Sequence, residues 1–93
     1  MKVGTVSDLN GKVIEGKLSF FCPGCGYSHF VNVNPAVEPC HSFNNDFEKP
    51  TFTPSVLVRG QHICHSYVTD GKIKYLFDSS HQMAGQTITL PDL

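Results

Sequence analysis

Apolar and polar residues alternate along this chain in short runs, and glycine, proline, asparagine and aspartate bound nearly every run. Lys17-Leu18-Ser19-Phe20-Phe21-Cys22 and Tyr27-Ser28-His29-Phe30-Val31-Asn32-Val33 each read as a strand. So do Val56-Leu57-Val58 and Gln86-Thr87-Ile88-Thr89-Leu90. Alternating β-branched and aromatic residues fit a half-buried pleated surface. No stretch holds a 3.6-residue apolar period. The pattern predicts an all-β fold.

Two hairpins stand out. Val3 to Ile14 turns at Asn10-Gly11, a pair suited to a type I′ turn because that turn needs positive φ at both central residues. Gly16 then breaks the run. The second hairpin spans His62 to Phe77 and turns at Asp70-Gly71. Its register pairs Thr69 with Lys72, Val68 with Ile73, Ser66 with Tyr75, and Cys64 with Phe77. One face then carries Cys64, Ser66, Val68, Ile73, Tyr75 and Phe77, and the other His65, Tyr67, Thr69, Lys72, Lys74 and Leu76. The first face is the apolar one, so Cys64 points inward and His65 outward. Asn34 to Asn45 reads as a loop, and Pro50 to Ser55 as a sheet edge or an exposed extended strap, since proline is confined to sheet edges. Ser79 to Gln86 reads as a loop or a single helical turn.

Cys22-Pro23-Gly24-Cys25-Gly26 lies between two of these strands. Two thiolates flanking a Pro-Gly turn, with further Cys and His downstream, are a zinc signal. The glycines let backbone amides approach the sulfurs, where they donate to the thiolates. The hairpin register makes Cys64 the third ligand. For the fourth, His81 comes first because it returns to the same end of that hairpin, then Cys40, then His65; His29 and His62 are further candidates. The expected site is Cys22, Cys25, Cys64 and His81 around Zn2+. A closed Cys3His shell leaves no coordination position for water or substrate. Its role would be folding free energy, of order 10–16 kcal/mol in finger peptides, against a total of roughly 5–10 kcal/mol for a domain this small.

Size and charge narrow the field. With 93 residues the default is one domain, 1–93, divided into an N-terminal hairpin (1–15) and a metal-stapled core (17–93). The expectation is thus a small zinc-stapled β domain of zinc-ribbon or knuckle-like hairpins. A core this thin gains much from a staple. The net charge of −1 gives no basic stripe for nucleic acid. No apolar run approaches the roughly 20 residues of a membrane span. The N-terminus lacks an apolar signal core. A reducing cytoplasm is expected, where four cysteines are metal ligands or free thiols before they are disulfides.

The phrases CPGCG, KPTFTPSVLV, CHSYVTDGKIKYLFDSSH and AGQTITLPD resemble a family of short bacteriophage and prophage proteins of uncharacterised function, from Phe20 to Leu93. Its members are often labelled ammonia monooxygenase. That label fails on physics, because such an enzyme is a membrane-embedded copper assembly and this chain has neither a span nor a copper cluster. The resemblance implies a phage protein in the host cytoplasm, and it carries over to Cys22, Cys25, Cys64, His65 and His81. Some relatives sit beside ubiquitin-like conjugation genes, which implies defence or counter-defence.

Three functions fit these residues. The first is a zinc-stapled binding module that engages a host or phage protein, an anti-defence inhibitor on the family's context, presenting Phe43, Phe47 and Phe52 unless the thin core takes up these aromatics, as it is somewhat more expected to; on this reading the balance leans against an enzyme. The second is a zinc-dependent hydrolase using His29, His41, His65, Asp78, His81 or Ser66. Ser66 and His65 are adjacent in a strand and face opposite ways, so they cannot pair as nucleophile and base. The third is a single-stranded nucleic-acid binder that stacks bases on aromatics.

Overall fold

The computed structural model describes residues 1–93. Eight strands run in order: β1 (Gly4–Ser7), β2 (Val13–Cys22), β3 (Tyr27–Asn32), β4 (Ser42–Phe43), β5 (Phe52–Arg59), β6 (Ile63–Thr69), β7 (Lys72–Tyr75) and β8 (Thr87–Thr89). They form two antiparallel sheets, β1-β2-β3 and β4-β5-β6-β7-β8. The all-β expectation holds at this level, and no helix is long and apolar enough to cross a membrane.

The core lies between the sheets. Val3, Leu18, Phe20, Cys22 and Val31 from the first meet Phe52, Val56, Cys64, Val68, Ile73, Tyr75 and Leu90 from the second. Phe20 stacks on Phe52 across this layer with ring centroids 6.2 Å apart. Each fully buried Phe, Ile or Leu contributes about 1.5–3 kcal/mol.

The second hairpin follows its expected register. Asp70 and Gly71 both have positive φ, 52° and 75°, as a type I′ turn requires. Ser66 pairs with Tyr75 and Val68 with Ile73. The ladder ends at Tyr75, however, and the expected Cys64–Phe77 pair does not form. Phe77 turns outward, 89 % exposed, and rests against Gly85.

The first hairpin departs further. Asn10 does not adopt positive φ. Instead Asp8 Oδ1 accepts the amides of Asn10 and Lys12, and Gly11 alone takes the left-handed conformation, φ 80°. The local Asp8 turn outcompetes the Asn-Gly turn, because an aspartate side chain readily caps the backbone two residues on. Nor does Gly16 end the strand: β2 runs through it with φ 74°, and a Cβ there would strike Asn34 at 2.4 Å. The glycine is a bend in one ten-residue strand.

The strap is exposed only in part, at Thr53 and Pro54. Pro50 and Phe52 are fully buried. Phe43 stacks on Phe52 at 5.1 Å, with Phe47 edge-on to Phe43 at 5.6 Å. These aromatics complete a thin core. The strap itself is the first half of β5, whose ladder is interrupted between Phe52 and Val56 by a bulge containing cis-Pro54 and Ser55.

Candidate functional site

Two clusters of reactive side chains lie on opposite faces of β6. Cys64 is buried and faces the core. Its neighbour His65 faces the other way, its side chain a quarter exposed. The period of two along a strand dictates this separation.

On the inner face, Cys22, Cys25, His29 and Cys64 each bring a ligand atom to within 4.8 Å of the others. Cys22 ends β2, and the Gly24-Cys25-Gly26 turn lets Cys22 pair with Tyr27. Two residues along β3, His29 falls on the same face as Cys22. The Cys22 and Cys64 sulfurs are 3.9 Å apart. A tetrahedral site with metal–sulfur bonds of about 2.3 Å places its sulfurs about 3.8 Å apart. His29 Nε2 is buried and has no hydrogen-bond partner; His81 Nε2 is in the same state, but of the two only His29 lies among the three sulfurs. A buried imidazole nitrogen left unpaired is costly, and a metal ion would satisfy it. The residues present therefore fit a metal ion.

Tyr75 organises the periphery of this cluster. Its hydroxyl accepts the Gly24 amide at 3.0 Å and donates to Cys22 Sγ at 3.1 Å. The Cys64 thiol, hydrogen-bonded to Cys22, is the largest influence drawing the Cys22 thiol far below its ordinary range; His29, Tyr75 and the Cys25 amide add to it, against the opposing effect of burial. Cys64 is pushed up chiefly because its proton is held by Cys22. Burial, then the Cys22 charge, raises Cys25. Sulfurs this close favour one thiolate sharing a proton with its neighbours, and a cation among them would relieve their mutual repulsion.

The structure gathers Cys22, Cys25 and Cys64 and adds His29 to them. His81 sits outside this quartet. Its ring packs edge-on against Tyr75 at 4.5 Å, its Nδ1 accepts the Met83 amide, and it occupies the space a Cβ on Gly24 would need, 2.5 Å away. Cys40 also stands apart, with its thiol on the His41 carbonyl. His29 was legible from the Cys-x2-Cys-x3-His spacing once the hairpin register is drawn.

On the outer face, Ser55 Oγ lies 2.9 Å from His65 Nε2. His65 Nδ1 lies 3.0 Å and 3.2 Å from the two carboxylate oxygens of Asp78. With the Nδ1 proton donated to Asp78, Nε2 carries the lone pair and accepts the Ser55 hydroxyl proton. Three elements supply these groups. Ser55 comes from the bulge of β5, and bulges re-aim side chains at such sites. His65 comes from β6, where its cross-strand partner is Leu57. Asp78 comes from the segment after β7, fastened back onto β6 by two serines. The Ser79 hydroxyl accepts the His65 amide and donates to the His65 carbonyl, each at 3.0 Å. Ser80 Oγ accepts the Ile63 amide at 2.7 Å. His41 Nε2 donates to the Ser55 carbonyl at 3.0 Å.

A serine, an imidazole and a carboxylate in this order of hydrogen bonds have the geometry that a nucleophile, a base and an orienting group require, whatever their chain order. Ser66, by contrast, is wholly buried on the inner face with its Oγ unpartnered. The sequence reading had His65 and Asp78 among its hydrolytic candidates but missed Ser55, since nothing local marks a serine after Pro54 as a neighbour of a histidine ten residues away.

The family model described as the bacterial ubiquitination-like system serine protease (BubE) matches residues 3–76. The chain belongs to this family. The matched segment includes Ser55 and His65; Asp78 lies two residues past its end. No curated protein and no solved structure gives a significant match. The family corrects three expectations. The resemblance to phage and prophage proteins gives way to a family named for a bacterial system. The non-enzymatic binding module gives way to a protease family. The anti-defence role tied to a phage origin goes with them.

Proposed function

We propose that this protein is a serine peptidase of a bacterial ubiquitination-like system, with Ser55 as nucleophile, His65 as general base and acid, and Asp78 as the group that fixes the imidazole tautomer. The single observation that carries this reading is the unbroken relay from Ser55 Oγ to His65 Nε2, at 2.9 Å, and from His65 Nδ1 to Asp78, at 3.0 Å. The family's description supports the same chemistry independently.

The steps follow from the relay. His65 Nε2 takes the Ser55 proton as Oγ bonds to the scissile carbonyl carbon. The resulting imidazolium returns that proton to the departing amine as the carbon–nitrogen bond breaks, leaving an acyl ester on Ser55. Water then loses a proton to His65 and attacks the ester, and the carboxylic acid leaves as Ser55 regains its proton. Asp78 is largely exposed, with its side chain at 63 %. Its charge is therefore screened by water, and its main contribution is to hold Nε2 as the unprotonated nitrogen. The family's system points to a peptide linkage at a ubiquitin-like protein as the substrate class.

The inner cluster supports a structural zinc ion held by Cys22, Cys25, His29 and Cys64. Zinc bound by four protein ligands supplies folding free energy and takes no part in the acyl transfer. Thiolate ligands of this kind fit a reducing compartment such as the cytoplasm.

The test is active-site labelling. A fluorophosphonate should modify the purified protein at Ser55, as read by peptide mass mapping, and Ser55→Ala should abolish the label. Stoichiometric labelling at another serine, or none on folded metal-replete protein, would refute the assignment.

A further inference from the structure

β5 presents a bare edge next to Ser55. β4 is two residues long and reaches no further along β5 than Thr53. Beyond it, β5 has a neighbour on one side only. Which backbone groups face the bare side follows from β6. His65 donates its amide to Ser79 Oγ, and its carbonyl accepts the Leu76 amide, both on the β7 side. In an antiparallel ladder, a residue whose amide and carbonyl both turn away from a neighbouring strand stands in a non-hydrogen-bonded pair with it. His65 stands opposite Leu57. The Leu57 amide and carbonyl therefore turn away from β6, toward the bare edge. The Ser55 carbonyl, held by His41, is on the same side.

The edge of the other sheet mirrors it. The Asn32 carbonyl accepts the His41 amide at 2.8 Å, while the Val33 amide turns back to Gly16. Phe30 shares the phase of Asn32, so its amide and carbonyl point off the free edge of β3. Between these edges lies a groove of about 280 Å³, with Phe30, Val37, Pro39, His41, Leu57 and Val58 among its lining residues.

We propose that this groove binds the substrate as an extended peptide, added as a strand along β5, with Leu57 as its main-chain partner and one apolar side chain seated among Phe30, Val37 and Val58. This rests on the serine-peptidase reading and adds the substrate's conformation and side-chain class. Both walls offer an unpaired donor and acceptor, which only a ligand carrying donors and acceptors at strand spacing satisfies together. The walls are mostly apolar, and Glu38 among them opposes an acidic side chain. The groove is continuous with the nucleophile, because Val56 and His41 both line it and flank or hold Ser55.

The experiment uses the full metal-replete chain. Fluorophosphonate labelling first reports whether Ser55 is reactive. A positional library of acetyl-tetrapeptide aminocoumarin amides then selects a substrate, which is resynthesised with one backbone N-methyl group at a time. The library should select an apolar residue at one fixed position. N-methylation at alternate positions should lower kcat/KM by about tenfold or more, the loss of one hydrogen bond with steric exclusion, and at intervening positions by far less. Val37→Asp should move the preferred side chain from apolar to basic. A labelled Ser55 with no library member cleaved, or with a flat N-methyl profile, overturns this proposal alone. An unlabelled Ser55 removes the peptidase reading and this one with it. Dimerisation in solution abolished by Phe30→Glu would assign the edge to a second copy and likewise overturn it.

Discussion

Cys64 and His65 are consecutive, yet they serve opposite faces of one strand. The inner face is dry: Cys22, Cys64 and His29 are buried, the Cys22 sulfur meets only Cys64 and the Tyr75 hydroxyl, and His29 Nε2 has no partner. The outer face is wet: His65 is a quarter exposed and Asp78 mostly so. The contrast shows how a small domain can hold a reactive histidine still. An imidazole positions a proton well only if its backbone does not move. On the reading proposed above, a metal held by Cys64 would fix β6 directly beside His65, adding to the Ser79 bridge on the His65 backbone. The two clusters share one strand while their side chains lie on opposite faces.

Removing the metal should have the largest effect. Structural zinc contributes of order 10 kcal/mol or more, comparable to the whole stability of a domain, about 5–15 kcal/mol. A strong chelator, or Cys64→Ser, should therefore abolish the cooperative melt seen by circular dichroism and the activity together. His29→Ala should lose the metal in the same way, whereas His81→Ala should retain one zinc per chain by elemental analysis. Metal loss from the His81 variant, with retention in the His29 variant, would restore the ligand set expected from sequence. A native spectrum persisting under the chelator would uncouple the two faces.

Ser55→Ala separates the faces from the other side. Peptidase turnover should fall by about 10⁴-fold or more, the usual cost of deleting a nucleophile that acts as a unit with its base. The melt and the zinc content should stay put, with stability changed by less than about 1 kcal/mol, because Ser55 is only half-buried and its Oγ bonds nothing but His65. A large drop in melting temperature would show that this hydroxyl has a structural role.

The inner face was far more legible in the sequence than the outer one, for physical reasons. Cys-x2-Cys is a local signal, and an Asp-Gly turn sets a register from which the burial of Cys64, Ser66, Val68, Ile73 and Tyr75 can be counted. That counting fails where the chain leaves the ladder, so Phe77 was assigned inward and is exposed. The N-terminal turn departs from the Asn10-Gly11 expectation because the Asp8 side chain competes for the same backbone groups. The outer face depends on a bulge in β5 that brings Ser55 beside His65, and on Ser79 and Ser80 folding Asp78 back over β6. Neither contact has a short-range signature. His65 and Asp78 could be suspected singly, but their nucleophile could not be named until β5 and β6 were aligned.

Asp78→Asn probes the relay more gently. It keeps the shape and removes the charge that selects the Nδ1-protonated tautomer. With a buried carboxylate the same change costs about 10⁴-fold; here the carboxylate is screened by water, so a loss of about 10²–10³-fold in kcat is expected, with KM nearly unchanged. An effect below about threefold would show that His65 keeps its tautomer without Asp78.

The smallest and most local test is Ser79→Ala. Ser79 touches neither the nucleophile nor the imidazole ring. Its hydroxyl bridges the amide and carbonyl of His65, tying the Asp78 segment to β6. Deleting it leaves the half-buried His65 amide without its side-chain acceptor, a cost of about 1–2 kcal/mol. If the bridge only stabilises the fold, the variant should lose that much stability and keep its kcat. If it positions the relay, kcat should fall by about tenfold at temperatures well below the melt, while zinc remains bound. Ser79→Thr, which retains the hydroxyl, should then recover most of the loss. The second pattern is expected, because the bridge acts on His65, the residue through which the outer relay is anchored to β6.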